Sequence, residues 1–196
     1  MADLFFANEM PFFLTLSRKM CFMTINHLAD RKVATIFAAF KETCQHCLHQ
    51  GFCITTLHVD GKFEPLKPVT QALPGRPMAN TASANEHIPE IERRVRVVKE
   101  RSRATRHGLP FSRMPKLVTV FVAFAAAKML NLFPPKGGVS DILSPRTIMS
   151  GETLDCKKHL ALRIGQHCQV HQEDTPRNSQ LPRSKGAMAL GPGGNL

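Results

Sequence analysis

Three acidic residues and a row of basic side chains are the residues of this chain whose types suit chemistry on a charged substrate. Asp3 and Asp60 each adjoin an apolar segment, and Glu92 lies near the start of a long helical pattern. Three converging carboxylates repel one another unless cations lie between them, and oxygen ligands favour Mg²⁺ or Mn²⁺. Two such ions, roughly 3.5–4 Å apart, can activate a nucleophile and stabilise the leaving oxygen of a phosphodiester. We therefore take these three acids as candidate catalytic residues and metal ligands.

The segment from Ile88 to Arg106 must position Glu92, and it also supplies the basic row. Its apolar residues recur every three or four positions, which predicts a helix with one face against a core; they are Ile88, Ile91, Val95 and Val98. A second stripe, about 100° round the helix, consists of Glu92, Arg96, Lys99 and Arg103. The three cations would suit the phosphates of DNA. The alternative is an amphipathic helix whose charged face only contacts water.

The net charge of +11 is concentrated in the second part of the chain. Residues 1–86 carry 8 basic and 7 acidic groups, whereas residues 87–196 carry 18 basic and 8 acidic groups. Clustered positive charge suits a polyanion, either nucleic acid or an acidic membrane surface. The alternative is that the basic charge only keeps the protein in solution.

The compartment is predicted from two features of the chain. An acid at position 3 and the lack of a basic first segment argue against a secretory signal, and the apolar run 117–127 is too short to span a bilayer. We expect an intracellular protein, nuclear or cytoplasmic, with no membrane partner. Its six cysteines are then expected to be free thiols.

The order of the predicted elements is three strands, a helix, a fourth strand and two long helices. The expected strands are 3–7, 12–16, 20–25 and 52–59, and the expected helices are 30–49, 88–106 and 116–132. Three meander strands, a crossover helix and a further strand give a mixed sheet flanked by helices. In such a sheet the ends of the first and fourth strands, which carry Asp3 and Asp60, can be neighbours. Residues 62–82 are expected to be irregular apart from a short strand near 78–82, and residues 175–196 to be a poorly ordered tail.

A cysteine pair gives a weaker metal hypothesis. Cys44 and Cys47, with His46 and His49, have the spacing of half a zinc site, but a second matched pair is missing. The alternative is two buried thiols and two surface imidazoles.

From Asp3 to Arg106 the sequence resembles the integrase catalytic core of copia-type LTR-retrotransposon polyproteins. The stretch ADLFFANEMPFFLTLSR resembles the opening strand and hairpin of that core, and HVDGKFEPL resembles the segment around its second catalytic Asp. PEIERRVRVVKERSRA resembles the helix that carries its catalytic Glu. The resemblance maps the three catalytic acids to Asp3, Asp60 and Glu92. One departure is that the usual Asn-Gly after the second Asp is Gly61-Lys62 in this chain.

The resemblance implies an α/β, RNase H-like fold, with a mixed sheet, flanking helices and an irregular basic C-terminal extension. It implies a truncated integrase-like core at residues 1–135 and a post-core extension at residues 136–196. The expected cofactors are two Mg²⁺ (or Mn²⁺) ions, with Asp3 bridging both and Asp60 and Glu92 each holding one. The expected partners are the element ends and target DNA, gripped by Arg96, Lys99 and Arg103, and a second copy of the chain.

The resemblance implies that the inherited activity is metal-dependent DNA strand transfer, the reaction of DNA integration. We expect truncation to impair it in the isolated chain. Two alternatives stay open: a nucleic-acid-binding remnant without catalysis, and an inert translated fragment.

Overall fold

The first three strands form an antiparallel sheet. A computed structural model describes residues 1–73, 75–81, 88–171 and 182–191. Its first sheet has the order β1 (Ala2–Ala7), β2 (Met10–Leu16), β3 (Met23–His27). The β1–β2 turn consists of Asn8 and Glu9, both with positive φ, which is the backbone of a tight two-residue hairpin. The predicted three-strand meander is confirmed, although β3 begins three residues later than expected.

The alternation of side chains along β2 gives this sheet a hydrophobic core on each face. Phe12 and Leu14 belong to one core and Phe13 to the other, and all three are completely buried. The first core packs the sheet against α3 (Pro89–His107) and α4 (Lys116–Asn131). The second packs it against α1 (Val33–His49) and β4 (Thr56–Val59). The result is an α/β arrangement with helices on both sides of the sheet.

All three long helices confirm the predictions to within three residues at each end. In α3, Ile91, Val95 and Val98 are buried, whereas the stripe that starts at Glu92 is exposed. Before α1, the Asp30 carboxylate accepts a hydrogen bond from the backbone N–H of Lys32 at 3.0 Å, so it orders the preceding turn and does not cap the helix. Although α4 is rich in apolar residues, only one side of it packs on the sheet, and Leu117 is exposed.

The segment after β4 is more regular than its prolines suggest. A 3-10 helix (Gly61–Leu66) runs directly into the short helix α2 (Lys67–Thr70). Phe63 and Leu66 are both buried, and their spacing of three matches one turn of a 3-10 helix. Pro68 lies in the first turn of α2, where a missing N–H costs little. The prediction of irregular structure was therefore wrong here.

The fourth strand pairs with a strand other than β1. β4 pairs in parallel with β5 (Met78–Thr81), which confirms the short strand expected near residue 78. In the described ranges the ladder hydrogen bonds form three small sheets and do not join β4 to β1, although these two strands contact each other. The expected single mixed sheet is thus divided, while its strands remain packed together.

The C-terminal region contains more structure than an irregular tail. It has two short helices, α5 (Pro145–Ser150) and α6 (Cys156–His159), and an antiparallel pair, β6 (His167–His171) with β7 (Ser184–Met188). The tail predicted for 175–196 was wrong at β7, and its residues 175–181 and 192–196 lie outside the described residues. Across the described ranges, every helix is too short or too polar to span a membrane.

Replacing Ile91 with Ala tests the packing of α3 on the sheet. Ile91 is 1% exposed, and its truncation should cost about 2–5 kcal/mol of unfolding free energy through lost burial and the resulting cavity. Val97→Ala, on the same helix but only partly buried, is the matched control and should cost much less. Urea unfolding, monitored by far-UV circular dichroism, measures the unfolding free energy of both variants. Equal losses of unfolding free energy would show that α3 is not anchored through Ile91.

Candidate active site

A lysine joins two of the three candidate acids. The Lys62 ammonium lies 2.6 Å from Oδ1 of Asp3 and 3.3 Å from Oδ2 of Asp60, so these two oxygens are no more than about 6 Å apart. The carboxylates are largely buried, at 12% and 17% side-chain exposure, whereas the lysine side chain is 47% exposed. The structure therefore brings Asp3 and Asp60 together, around an ammonium group.

The local sequence explains how these groups reach one place. Asp3 lies between Met1 and Phe5 on β1, and both neighbours pack in the core under α3. Because alternate residues of a strand share a face, Asp3 is on the α3 side of the sheet. Asp60 follows the last residue of β4 directly, and the 3-10 helix then carries Lys62 back towards both acids.

The first turn of α3 lies at the same end of the sheet. Arg18, just after β2, pairs with Glu90 in that turn at 2.9 Å. Because β1 and β2 are antiparallel, the end of β2 is beside the beginning of β1, and Ala2 is opposite Thr15. Glu92 belongs to this turn and its side chain is exposed. The structure thus brings the element that carries Glu92 to the sheet end where Asp3 lies.

The electrostatics of the pair are dominated by Lys62. Burial alone lowers the pKa of Lys62, but the hydrogen bonds and charges of Asp3 and then Asp60 outweigh it and raise that pKa above its ordinary value. Asp3 Oδ1 also accepts a hydrogen bond from the backbone N–H of Leu4 at 2.7 Å. In the described ranges no group of three His, Cys, Asp or Glu side chains is arranged to hold a metal ion. As arranged, the residues do not fit two divalent cations, because an ammonium already lies between the two acids.

The basic face of α3 borders a cleft. Arg96, Lys99 and Arg103 are all exposed, as predicted. Lys99 and Arg103, with Arg106, line a cleft of about 260 Å³ between the end of β1, α3 and α4. The Lys99 ammonium lies 5.8 Å from the ring centroid of Phe5 in the same cleft. This face can offer three or more positive charges to one phosphate backbone.

The cysteine pair is arranged differently from a zinc site. Cys44 and Cys47 are buried, whereas His46 and His49 are exposed, so the four side chains do not face one point. Burial, with smaller effects from Cys47 and Cys53, raises the pKa of Cys44 to about 12. Its thiol is therefore protonated and unreactive near neutral pH.

Lys62 and Asn131 have roles in the structure that the sequence did not predict. For Lys62 a signal was available in the sequence, because Gly61-Lys62 departs from the integrase pattern. That departure puts a cation two residues after Asp60, a candidate metal ligand. Asn131 gave no signal, since it is a single amide at a helix end. In the structure Asn131 is buried. Its side-chain amide accepts a hydrogen bond from the backbone N–H of Met23 at 2.9 Å and donates one to the backbone carbonyl of Met23 at 2.8 Å, and these two bonds join α4 to β3.

Comparison with solved structures relates this architecture to retroviral integrases. The chain is similar to the catalytic core domain of BIV integrase (15% identity, TM-score 0.49, 76% of this chain and 90% of that one). It is similar to the HTLV-2 integrase catalytic core domain, solved in complex with magnesium in a trimeric form (11% identity, TM-score 0.48, 76% of this chain and 92% of that one). It is also similar to a chain of the simian T-cell lymphotropic virus intasome in complex with PP2A regulatory subunit B56 gamma (12% identity, TM-score 0.50, 97% of this chain and 66% of that one).

These likenesses concern the fold. The last of them, which spans nearly the whole chain, shows an integrase-like, RNase H-like fold and so confirms the predicted fold class. No family model and no curated protein matches the sequence.

Replacing Lys62 with Met gives a pH-dependent change in stability. The raised pKa of Lys62 means that its stabilising effect is fully present below pH 10.5 and is lost as the pH rises through the folded-state pKa. We expect the wild type to be more stable than Lys62→Met by about 0.2–1 kcal/mol, because the pair is partly exposed to water. Urea unfolding from pH 8 to 11.5 should show a constant difference up to pH ~10 and a shrinking one above it. Lys19→Met, at an exposed turn, is the control, and a difference that grows above pH ~10 would contradict the assignment.

Proposed function

We propose that this chain is an integrase-core fragment of a copia-type retrotransposon polyprotein that retains DNA binding. The observation that carries the proposal is the exposed basic face of α3, whose opposite side is buried against the sheet. The core side fixes the helix, so the backbone positions of its cations form a fixed row, and only their side chains must be ordered when a phosphate backbone binds. The integrase-like fold supports the proposal independently.

The charges around this face favour a polyanionic partner. From Arg93 to Arg106 the helix carries seven Lys and Arg residues, and one acid, Glu100, lies among them. In the described chain, ion pairs engage Arg18, Lys32, Lys62, Lys67 and Arg146, and these cations all lie outside α3, although the partner of Arg18 is Glu90 in its first turn. The proposed partners are the element ends and target DNA, in an intracellular compartment, with a second copy of the chain as a further proposed partner.

The inherited activity proposed for the family is DNA strand transfer at Mg²⁺ or Mn²⁺. Asp3, Asp60 and Glu92 would be its three catalytic acids and metal ligands, and all three would lie in a core at residues 1–135. The Lys62 ammonium between Asp3 and Asp60 opposes this chemistry in the present chain. We therefore propose that the chain binds DNA and does not join it.

DNA binding can be tested by removing the basic row. The combined variant Arg96→Ala, Lys99→Ala, Arg103→Ala should bind duplex DNA more weakly, and the slope of log affinity against log salt should fall by up to about 3, since each phosphate contact contributes about 0.9. Fluorescence anisotropy with a labelled duplex at several salt concentrations measures both quantities.

The matched control removes the same charge from other surfaces. Lys19, Lys41 and Lys136 are exposed and lie outside α3. Replacing these three with Ala should change the salt slope much less. If the two triple variants lose affinity equally, the binding depends on overall charge and the proposed interface is wrong.

The loss of catalysis can be tested separately. In a strand-transfer assay with Mn²⁺, the wild type should give no more joined product than Glu92→Gln. The reason is that Lys62 competes with any cation for the two aspartates. Product that forms with the wild type and disappears in Glu92→Gln would show an active centre and contradict the proposal.

A further inference from the structure

Two largely buried carboxylates share one cation that belongs to the chain itself. The Lys62 ammonium contacts Asp3 and Asp60, which approach from β1 and from the end of β4. These are the acids that the proposed function assigns to metal. We infer that Lys62 is a built-in counter-ion that occupies the place of a divalent cation between Asp3 and Asp60 and excludes metal from it.

The hydrogen bonds of the site favour the ammonium over a metal ion. Oδ1 of Asp3 already accepts from the Leu4 N–H and from Lys62. Mg²⁺ requires near-octahedral oxygen ligands at about 2.0–2.1 Å and gives up its water reluctantly. An ammonium needs only oxygen acceptors at hydrogen-bonding distance, and here it has one on each carboxylate. A metal ion placed between these two oxygens would have to displace Lys62.

The backbone that carries Lys62 keeps it near the acids. Its neighbour Phe63 is buried, and Leu66 anchors the end of the same 3-10 helix. The ammonium also lies 5.4 Å from the ring centroid of Phe63. A tethered group has an effective concentration on the order of millimolar or above. A free divalent cation competes with Lys62 through the product of its own concentration and its affinity, and two carboxylates alone bind such a cation weakly.

The inference rests on the proposed function only in the identity of the acids. DNA binding by α3 and cation exclusion at Lys62 involve different side chains. An experiment with metal and without DNA therefore tests cation exclusion at Lys62 and does not depend on DNA binding by α3.

The test is a titration of the protein with Mn²⁺ alone, in which isothermal titration calorimetry measures the affinity. Lys62→Met should bind Mn²⁺ at least tenfold more tightly than the wild type, because the competing ammonium is gone. Lys62→Arg, which keeps a cation at this position, is the matched control and should resemble the wild type. The double variant Lys62→Met, Asp60→Asn should lose the gained affinity, which places the ion between the two acids. Equal Mn²⁺ affinity in the wild type and Lys62→Met overturns the inference.

A second measurement on the wild type covers the case in which Lys62→Met fails to fold. Mn²⁺ broadens the amide resonances of residues close to it. The inference predicts no localised, saturable broadening at Leu4 and Gly61 at metal concentrations well below millimolar. Such broadening in the wild type would show that metal binds beside Lys62 and would overturn the inference.

Discussion

The burial of β2 on both faces is the constraint on which the rest of the structure depends. Phe12, Phe13 and Leu14 have no exposed surface, so the strand requires a layer of structure on each side of the sheet. The hydrophobic effect favours this arrangement at about 25 cal/mol for each Å² of apolar surface removed from water. α3 and α4 cover one face, and α1 with β4 covers the other. The ends of β1, β4 and α3 are positioned as a consequence.

The site that results contains two of the acids proposed as metal ligands, together with a lysine that pairs with both. Carboxylates that approach within about 6 Å need a cation, and either a divalent metal or an ammonium can supply it. Lys62 supplies it from within the chain, so the acids can be buried without metal. The basic face of α3 does not depend on this ion pair, because it lies on the exposed side of a helix that the core holds independently.

Patterns with a fixed period were predicted well. The stripe Ile91, Val95, Val98 located α3, whereas β2 was located by a β-prone run at residues 12–16 that has no such period. Proline content misled the prediction between β4 and β5, because prolines tolerated in first helical turns look the same in sequence as prolines that break structure. The ladder that joins β4 to β5 also escaped prediction, since strand pairing depends on contacts between distant parts of the chain.

The sequence by itself determined the α/β class, the long helices, the hairpin meander and the exposure of Arg96, Lys99 and Arg103, because these follow from hydrophobic periodicity over neighbouring residues. Only the tertiary structure decided that Asp3 and Asp60 meet around Lys62. Residues 3 and 60 come together because β4 packs beside β1 and Lys62 of the 3-10 helix pairs with both acids, and no local pattern encodes that distance. The physical reason is that side-chain period is a property of one element, whereas an ion pair between elements depends on how the whole core packs.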